Sequence, residues 1–537
     1  MTAAPSDLLR GRDAFRVVHL CALVLVAIML PWSKALLSMA QLLLVGNWLV
    51  EGVVRKDLKA RFRRAFTQAP SLIFISFFVL HVIGLLWTSD HKWGFDLVRI
   101  LLPVLAFGAV LGASSPLKSD EFRAVLLFGA WSVVVSTFAS LAVRYGQSAD
   151  YRSLSVFISH IRLALMLCLA IVVFLWDRGG PKYLRYAGHA AALWCLFYID
   201  RLGSIQGYFI LVVIAAVFLW RWSARMTQRV RWSLRSIMVI VPLLLLLIGW
   251  REVVSRYHLP DPALDQKLER TEGGADYQHD IRNPQMENGN HVWVYVAMDE
   301  LERGWAARSE VPFNGEDAKG HPVWSTLVRY MASKGLKKDS VALASLSAAD
   351  INAIERGITN AHPPRWAGAT ARFDEVVFEL QQYHAMGAVD GHSVAMRLEY
   401  LKTGFGIARK NWLFGVGTGD TEQAFQDAYE RSGSRLSPQW RHRAHNQYLT
   451  LWISFGVFGL AYGLFAWWWT AYRIKAWRQP LFIAFAVIFG ISCLTDDTIE
   501  TQVGATFFAF YYTLLVFAAP RLSGSEALPV ERPHDRG

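Results

Sequence analysis

A histidine stands at the entrance of a long apolar run in RHRAHNQYLTLWISFGVFGLAYGLF, residues 441–465. His445 is followed by Asn446, Gln447 and Tyr448, whose side chains can donate and accept hydrogen bonds. A histidine has an ordinary pKa of about 6.5, so its ring can accept a proton at neutral pH. His445 is therefore a candidate general base, with the next three residues in support. The alternative is an interface histidine followed by an asparagine that caps the helix.

Three arginines lie at or near the predicted outer ends of apolar segments. Arg162 lies in SVFISHIRLALML, about two turns inside its span, Arg201 in YIDRLGSIQGYF and Arg397 in HSVAMRLEYLKTG. A guanidinium stays charged and presents a fork of donors that matches phosphate oxygens. We therefore predict that these arginines hold a lipid diphosphate while a hydroxyl, activated by His445, displaces it in a glycosyl transfer.

Simpler roles for the same residues are open. Arg162 could extend to the membrane interface, Arg201 could pair with Asp200, and Arg397 could be an ordinary surface arginine. The turn DDTIE could be solvated or could form a wall of the site. Further candidate supporting residues are His160, Asp200, Asp496, Asp497 and Glu500.

The chain lacks the usual motifs for a metal or a nucleotide. It contains no Asp-x-Asp sequence and no His/Cys cluster with zinc spacing, which favours a reaction without metal or cofactor. The glycine-rich stretch LFGVGTGD (413–420) follows a helical pattern and lacks the lysine of a phosphate-binding loop. It predicts a tight bend instead.

The composition is that of a polytopic membrane protein. Of 537 residues, 53% are hydrophobic and only 18% are charged, and a span needs about 20 apolar residues. The net charge of +12 is explained by topology and an anionic membrane surface, so it does not indicate nucleic acid as a partner. We predict an all-α fold with about twelve transmembrane helices. Their cores are 15–32, 34–53, 70–88, 95–113, 122–144, 156–176, 185–200, 204–220, 233–250, 446–471, 480–495 and 502–519.

The loops fix the expected orientation. The even-side loops, such as RKDLKARFRR and YRIKAWRQP, are rich in Arg and Lys, whereas the odd-side loops are not. Basic loops stay in the cytoplasm, so both termini are expected there and the candidate site residues on the outside. A lipid-linked sugar transporter, the alternative class, would spread polar residues to the midplane.

One large insertion separates the ninth and tenth spans. It is predicted to be an outward-facing, mainly helical domain. VWVYVAMDELERGWAAR has helical spacing, TLVRYMASKGLKKD ends its periodic stretch at Lys334 with Gly335 as its C′ residue, and Ser347 with Asp350 forms a near capping box. The predicted domains are helices 1–9 at 1–250, the outer domain at 251–445, helices 10–12 at 446–519 and a cytoplasmic tail at 520–537.

These motifs resemble the O-antigen ligase and polymerase superfamily of membrane glycosyltransferases. The resemblance lies in NWLFGVGTGD, AHNQYLTLWISFGVFGLAYGLF and the arginine of SVAMRLEYLKTGFGIARKNWLFGVG, and it extends over about 150–250 and 395–519. DRLGSIQGYFILVV departs from the family pattern because Arg201 precedes the Gly-Ser pair. The segment 261–365 is extra relative to the family's outer loop.

The resemblance implies a bacterial inner-membrane enzyme with its site at the periplasmic face. Its expected donor is an undecaprenyl-diphosphate-linked glycan, its acceptor in the ligase branch is a sugar of lipid A–core, and membrane lipids surround it. By this analogy His445 is the base, and Arg162, Arg201 and Arg397 hold the diphosphate. An O-antigen or exopolysaccharide polymerase and a protein O-oligosaccharyltransferase are the alternatives within the superfamily.

Overall fold

The computed structural model describes residues 13–144, 154–257, 269–283, 285–287, 290–361, 379, 383, 389–390 and 393–520. Most of the predicted C-terminal tail therefore lies outside the described residues. By internal packing the chain divides into two units. The first consists of residues 1–224, 400–432 and 441–537, and the second of 225–399 and 433–440. The predicted domain boundaries, which were drawn at the membrane, stay a prediction.

The first unit consists of helices, most of which are apolar. Their bounds are Ala14–Met29, Lys34–Val54, Leu58–Thr67, Ala69–Ile83, His91–Ala113, Ser119–Val143, His160–Trp176, Lys182–Arg201, Ile205–Ser223, Thr421–Arg431, Gln447–Arg473, Pro480–Thr495 and Gln502–Thr513. Short 3₁₀ turns lie at Gly84–Trp87, Ala476–Arg478 and Thr498–Glu500, and a π-helical turn, Leu514–Ala518, ends the last helix. Helix Ser393–Lys410 enters the unit at residue 400.

Each predicted span overlaps a described helix. By length and composition, seven helices are able to cross a membrane, and four shorter ones are also apolar. Helix Lys182–Arg201 belongs to neither group. The helices are consistent with the predicted all-α polytopic membrane protein, and the number of spans stays a prediction.

Stacked aromatic rings join the helices near the C-terminus to one another and to a helix in the first half of the chain. Phe489 stacks on Phe508 with ring centroids 4.2 Å apart, and Phe74 stacks on Tyr512 at 4.7 Å. All four side chains are buried. Because lipid is as apolar as these side chains, such close packing is what holds membrane helices together.

The basic segment RKDLKARFRR is a helix, Leu58–Thr67, and was predicted only as a loop. The cause is Arg61, which points inward and is 7% exposed. Its guanidinium pairs with Asp57 at 2.7 Å and with Glu51 at 2.8 Å. A buried arginine with two carboxylate partners fixes this turn of helix against its neighbour.

The helix Gln447–Arg473 is broken at Gly456. This residue has φ 67° and ψ −172°, outside the helical region. A Cβ at that position would lie 2.0 Å from the carbonyl oxygen of Leu413, so the position requires glycine. We call Gln447–Arg473 the broken helix.

The predicted tight bend at 413–420 is present, and it fills the break. The N–H groups of Val416 and Gly417 donate to the carbonyls of Ile453 and Ser454 at 2.8 and 2.9 Å. In return the N–H of Val457 donates to Trp412 at 2.8 Å. The bend therefore replaces the hydrogen bonds that the broken helix loses, as is required within a membrane.

The second unit contains one helix of 30 residues, Gln228–Tyr257, and several short helices, some of which pack around an apolar core of their own. Its helices are Gln228–Tyr257, Met298–Ala306, Val323–Ser333, Ser340–Ala344 and Ala348–Glu355, with the start of Ser393–Lys410, the 3₁₀ turn Pro438–Trp440 and a hairpin of Met286–Glu287 with Asn290–His291. The fully buried Trp305 lies in that core. Apart from this hairpin, the described secondary structure is helical.

Two predicted helix ends in this unit are confirmed. Ser347 accepts from the N–H of Asp350, whose carboxylate accepts from Ser347 in return. Helix Val323–Ser333 ends at Lys334, and Gly335 follows with φ 69°. The helix predicted in 292–308 is shorter, because residues 292–297 pair with neighbouring chain segments and the helix begins at Met298.

Candidate active site

His445 lies at the end of an extended segment, one residue before the cap of the broken helix. Its φ is 47°, a left-handed conformation that is uncommon for a residue with a side chain. The ring Nδ1 lies 3.6 Å from Oδ1 of Asp496, an ion-pair separation, and the side chain is 38% exposed. The ring is therefore both held by a carboxylate and open to an incoming group.

The same carboxylate is bound on its other side by Arg162. The guanidinium Nη2 lies 2.7 Å from Oδ2 of Asp496, and the two side chains are 14% and 8% exposed. Burial alone would raise the pKa of Asp496, but His445 and Arg162 more than offset it and the pKa lies below its ordinary value. Asp496 is therefore an anion at neutral pH and the link between two predicted site residues.

The position of Arg162 differs from the prediction. Its helix begins at His160, so Arg162 lies in the first turn and not two turns inside. Residues 156–159 had been counted as span because they are partly apolar. His160 is half-buried at the first helical position.

The three residues that follow His445 attach the broken helix to neighbouring parts of the chain. Asn446 caps the helix by accepting from the N–H of Leu449 at 3.0 Å, which is the alternative role considered for it. Gln447 accepts from the N–H of Ile499 at 3.0 Å, and the Tyr448 hydroxyl donates to the carbonyl of Gly490 at 2.9 Å. These contacts place His445 beside Asp496, and none of them uses its ring.

The turn 496–500, here called the acidic turn, has three carboxylates, and together they contact four side chains. Asp496 takes Arg162 and His445, while Asp497 accepts from the Thr450 hydroxyl at 2.7 Å. Glu500 accepts a hydrogen bond from Arg443. No motif in the sequence singles out Arg443, because its partners are distant in the chain.

Two more rings surround His445. The ring centroid of Tyr400 lies 5.6 Å from that of His445, and the centroid of His442 lies 6.2 Å away. The pKa of His442 is lowered, chiefly by burial and further by the neighbouring His445. Sequence reasoning did not select either residue.

Two buried N–H donors at this site have no hydrogen-bond partner among the described residues. They are Nε of Arg162 and Nε2 of Gln447, and the Gln447 side chain is fully buried. Each unpaired buried donor costs about 1–3 kcal/mol. Both side chains contact the acidic turn through their other polar atoms.

Arg201 and Asp200 are not paired with each other. Asp200 accepts from the Tyr208 hydroxyl at 2.6 Å. Arg201 is exposed at the last residue of its helix, and no ion pair to it occurs among the described residues. No described contact joins Arg201 to Asp496 or His445.

Arg397 is exposed on helix Ser393–Lys410, in the part that belongs to the second unit. Its predicted role in holding a diphosphate stays a prediction.

Residues 341–464 match the family model described as O-antigen ligase. This segment belongs to the O-antigen ligase superfamily. The resemblance predicted from the motifs is thereby confirmed for this segment, and members of the family are glycosyltransferase-like enzymes. No curated protein matches the chain.

The O-antigen ligase match and the predicted resemblance cover different ranges. The match includes Arg397, the glycine-rich bend and His445, and it ends within the broken helix. It begins at residue 341, inside the segment 261–365 that had been considered extra. Arg162, Arg201 and Asp496 lie outside the match.

The amides of residues 415–419 in the glycine-rich bend are all used within the protein, so they are not available to cradle a phosphate. The N–H groups of Gly415, Val416, Gly417, Thr418 and Gly419 all donate within the protein. Among the residues that the structure describes, no group of three or more His, Cys, Asp or Glu side chains could hold a metal ion. The expected metal-free mechanism stays a prediction.

Proposed function

We propose that the protein is a bacterial inner-membrane glycosyltransferase that joins a lipid-diphosphate-linked glycan to a sugar hydroxyl. The proposed donor is an undecaprenyl-diphosphate-linked O-antigen glycan, and the acceptor is lipid A–core at the periplasmic face. The description of the matched family, O-antigen ligase, favours this branch over the polymerases and protein oligosaccharyltransferases.

The main support for this proposal is the position of Asp496 between Arg162 and His445. A carboxylate that faces one ring nitrogen of a histidine orients the ring and stabilises it once it is protonated. Because Nδ1 of His445 faces Asp496, Nε2 is the nitrogen that accepts the proton of the acceptor hydroxyl. This arrangement suits a general base whose partner stays ionised.

The proposed reaction is a single displacement at the anomeric carbon of the donor. The acceptor oxygen loses its proton to His445 and forms a bond to the anomeric carbon, while the bond from that carbon to the diphosphate oxygen breaks. The diphosphate leaves with the bonding electron pair, and its negative charge is stabilised by guanidinium groups.

The arginines proposed to bind the diphosphate differ in how many contacts they already make within the protein. Arg162 gives one nitrogen to Asp496, while its buried Nε is unpaired among the described residues. Arg201 is exposed and has no described ion pair. We propose that both bind the diphosphate, Arg162 while it orients Asp496, and that Arg397 contributes as predicted.

A gene deletion examined for lipopolysaccharide banding tests the function. Loss of the whole O-antigen ladder from the core, with accumulation of lipid-linked polymer, supports the ligase. A core that bears one repeat only would instead indicate a polymerase, and an unchanged ladder contradicts both.

Complementation of that deletion tests the base. His445→Ala is expected to restore no ladder although the protein is present in the membrane at the normal level. The matched control is His189→Ala, which removes an exposed histidine from helix Lys182–Arg201 and is expected to restore the ladder. Full banding with His445→Ala would reject the base assignment.

A further inference from the structure

Arg443 joins four elements of the first unit around His445. It lies two residues before His445 in the extended segment 441–446. Its guanidinium donates to Glu500 of the acidic turn, and its Nε lies 3.5 Å from Glu422 of helix Thr421–Arg431. The guanidinium carbon also lies 5.6 Å from the ring centroid of Trp93 on helix His91–Ala113. Arg443 is 17% exposed and Glu500 is 9% exposed.

Side chains of helix Thr421–Arg431 bind the backbone of the segment 441–446. The side chain of Gln426 donates to the carbonyl of Arg441 at 3.2 Å, and the Tyr429 hydroxyl donates to the carbonyl of His442 at 2.7 Å. The segment itself has neither helical nor strand structure. Side-chain contacts must therefore define its path up to the left-handed turn at His445.

The ion pair of Arg443 with Glu500 also affects the position of the carboxylates near His445. Asp496 and Glu500 lie on the same short turn, and each has its own arginine. Without Arg443, Glu500 would be a buried carboxylate without a described cation, which is an unfavourable state. Glu500 would then be attracted to Arg162, and a shift of the acidic turn in that direction would move the Asp496 carboxylate away from its position beside His445.

We infer that Arg443 is a positioning residue, which holds the segment 441–446 between Glu422 and Glu500 so that the ring of His445 faces Asp496. This inference rests on the proposed function, because it assigns that position to catalysis. Arginine suits the role because its planar fork can bind two carboxylates while it stacks on an indole ring. A lysine can supply the charge but not the fork.

The experiment compares full-length variants in detergent micelles. Arg443→Met removes both the positive charge and the contacts with the two carboxylates. Arg443→Lys keeps the positive charge but not the planar guanidinium. The matched control is Arg431→Met, which removes an exposed arginine of helix Thr421–Arg431. Among the described residues, its side chain bonds only to a carbonyl of its own helix. The first readout is hydrogen exchange of the peptide that contains 441–446. The second is the kcat and KM of transfer, with undecaprenyl-diphosphate-linked glycan and lipid A–core extracted from the host.

Arg443→Met is expected to speed the exchange of 441–446 and to lower kcat by about tenfold or more, because a displacement on the order of 1 Å can cost about 10²-fold. KM for the donor should change by less than about threefold, since the residue does not bind it. Arg443→Lys should fall between Arg443→Met and the parent protein, and Arg431→Met should match the parent.

Unchanged exchange and unchanged kcat in Arg443→Met would overturn the inference. A raised KM with an unchanged kcat would also overturn it, because Arg443 would then bind substrate. Should Arg443→Met aggregate, Arg443→Lys and Glu422→Gln provide the same two readouts. Full transfer activity of His445→Ala would contradict the proposed base without contradicting the role of Arg443. In that case the hydrogen-exchange measurement still tests whether Arg443 holds the segment 441–446.

Discussion

The carboxylate of Asp496 faces the imidazole of His445 across 3.6 Å, with Oδ1 of the carboxylate opposite Nδ1 of the ring. The two residues are 51 positions apart, and each stands at an end of a long apolar helix. Arg162, from a third helix, binds the remaining oxygen of the carboxylate. Three separate helix ends thus supply the candidate base, its orienting anion and the cation that keeps this anion charged.

Asp496→Asn is expected to lower kcat by about 10²-fold or more, because the neutral amide cannot stabilise a protonated His445. The shape of the side chain is retained, so the variant should still fold, although with a lower thermal midpoint because the ion pair with Arg162 is lost. The measurement is kcat and KM of the purified enzyme, with the exposed Asp427→Asn as the control. A kcat equal to that of the control would remove Asp496 from the mechanism.

The ion pair of Asp496 with Arg162 predicts a pH dependence of stability. A carboxyl whose pKa is lowered on folding stabilises the folded state above its ordinary pKa, about 3.9. That stabilisation is lost as the pH falls through the lowered value in the folded protein. The difference in thermal midpoint between the parent and Asp496→Asn should therefore be largest at neutral pH and shrink below about pH 4.

Purified protein in one detergent, melted at a series of pH values, gives this difference directly. Because both proteins share every titrating group that does not contact position 496, the subtraction isolates the Asp496 carboxylate together with its partners His445 and Arg162. A difference that stays constant down to pH 3 would mean that Asp496 makes no stabilising ion pair.

Local pattern was enough to predict the helices and several of their ends. The Ser347–Asp350 box, the left-handed Gly335 and the cap at Asn446 each depend on residues close in sequence. The same holds for the bend at 413–420, where two glycines have positive φ.

Contacts between distant segments could not be predicted in this way. Arg443 reads as one of several basic residues before His445 until Glu422 and Glu500 are placed beside it. Gly456 reads as an ordinary helix residue because its conformation is set by Leu413, 43 positions earlier. The amphipathic helix Leu58–Thr67 likewise depends on the burial of Arg61.

Arg201→Lys tests whether this exposed arginine binds the donor. An ammonium cannot make the two-pronged contact of a guanidinium with phosphate oxygens, so transfer should fall by about tenfold or more. Asp200 is occupied by Tyr208, so loss of an Asp200–Arg201 pair does not explain a deficit. Transfer is measured with the purified donor, and Arg221→Lys, an arginine in the last turn of Ile205–Ser223, is the control. Near-normal transfer would leave Arg201 outside the site.

Gly456→Ala tests whether the break in the broken helix is required. A side chain at φ 67° is unfavourable by about 1–2 kcal/mol in itself, and here its Cβ would also overlap the carbonyl of Leu413. We therefore expect a clear fall in the thermal midpoint and a loss of folded protein. The control is Gly46→Ala in helix Lys34–Val54, where no atom lies within 4 Å of the new Cβ. That change should be neutral or stabilising by about 0.5–1 kcal/mol, because alanine favours a helix over glycine. Equal midpoints for the two variants would mean that the helix can straighten at Gly456 and release the bend 413–420 at no cost.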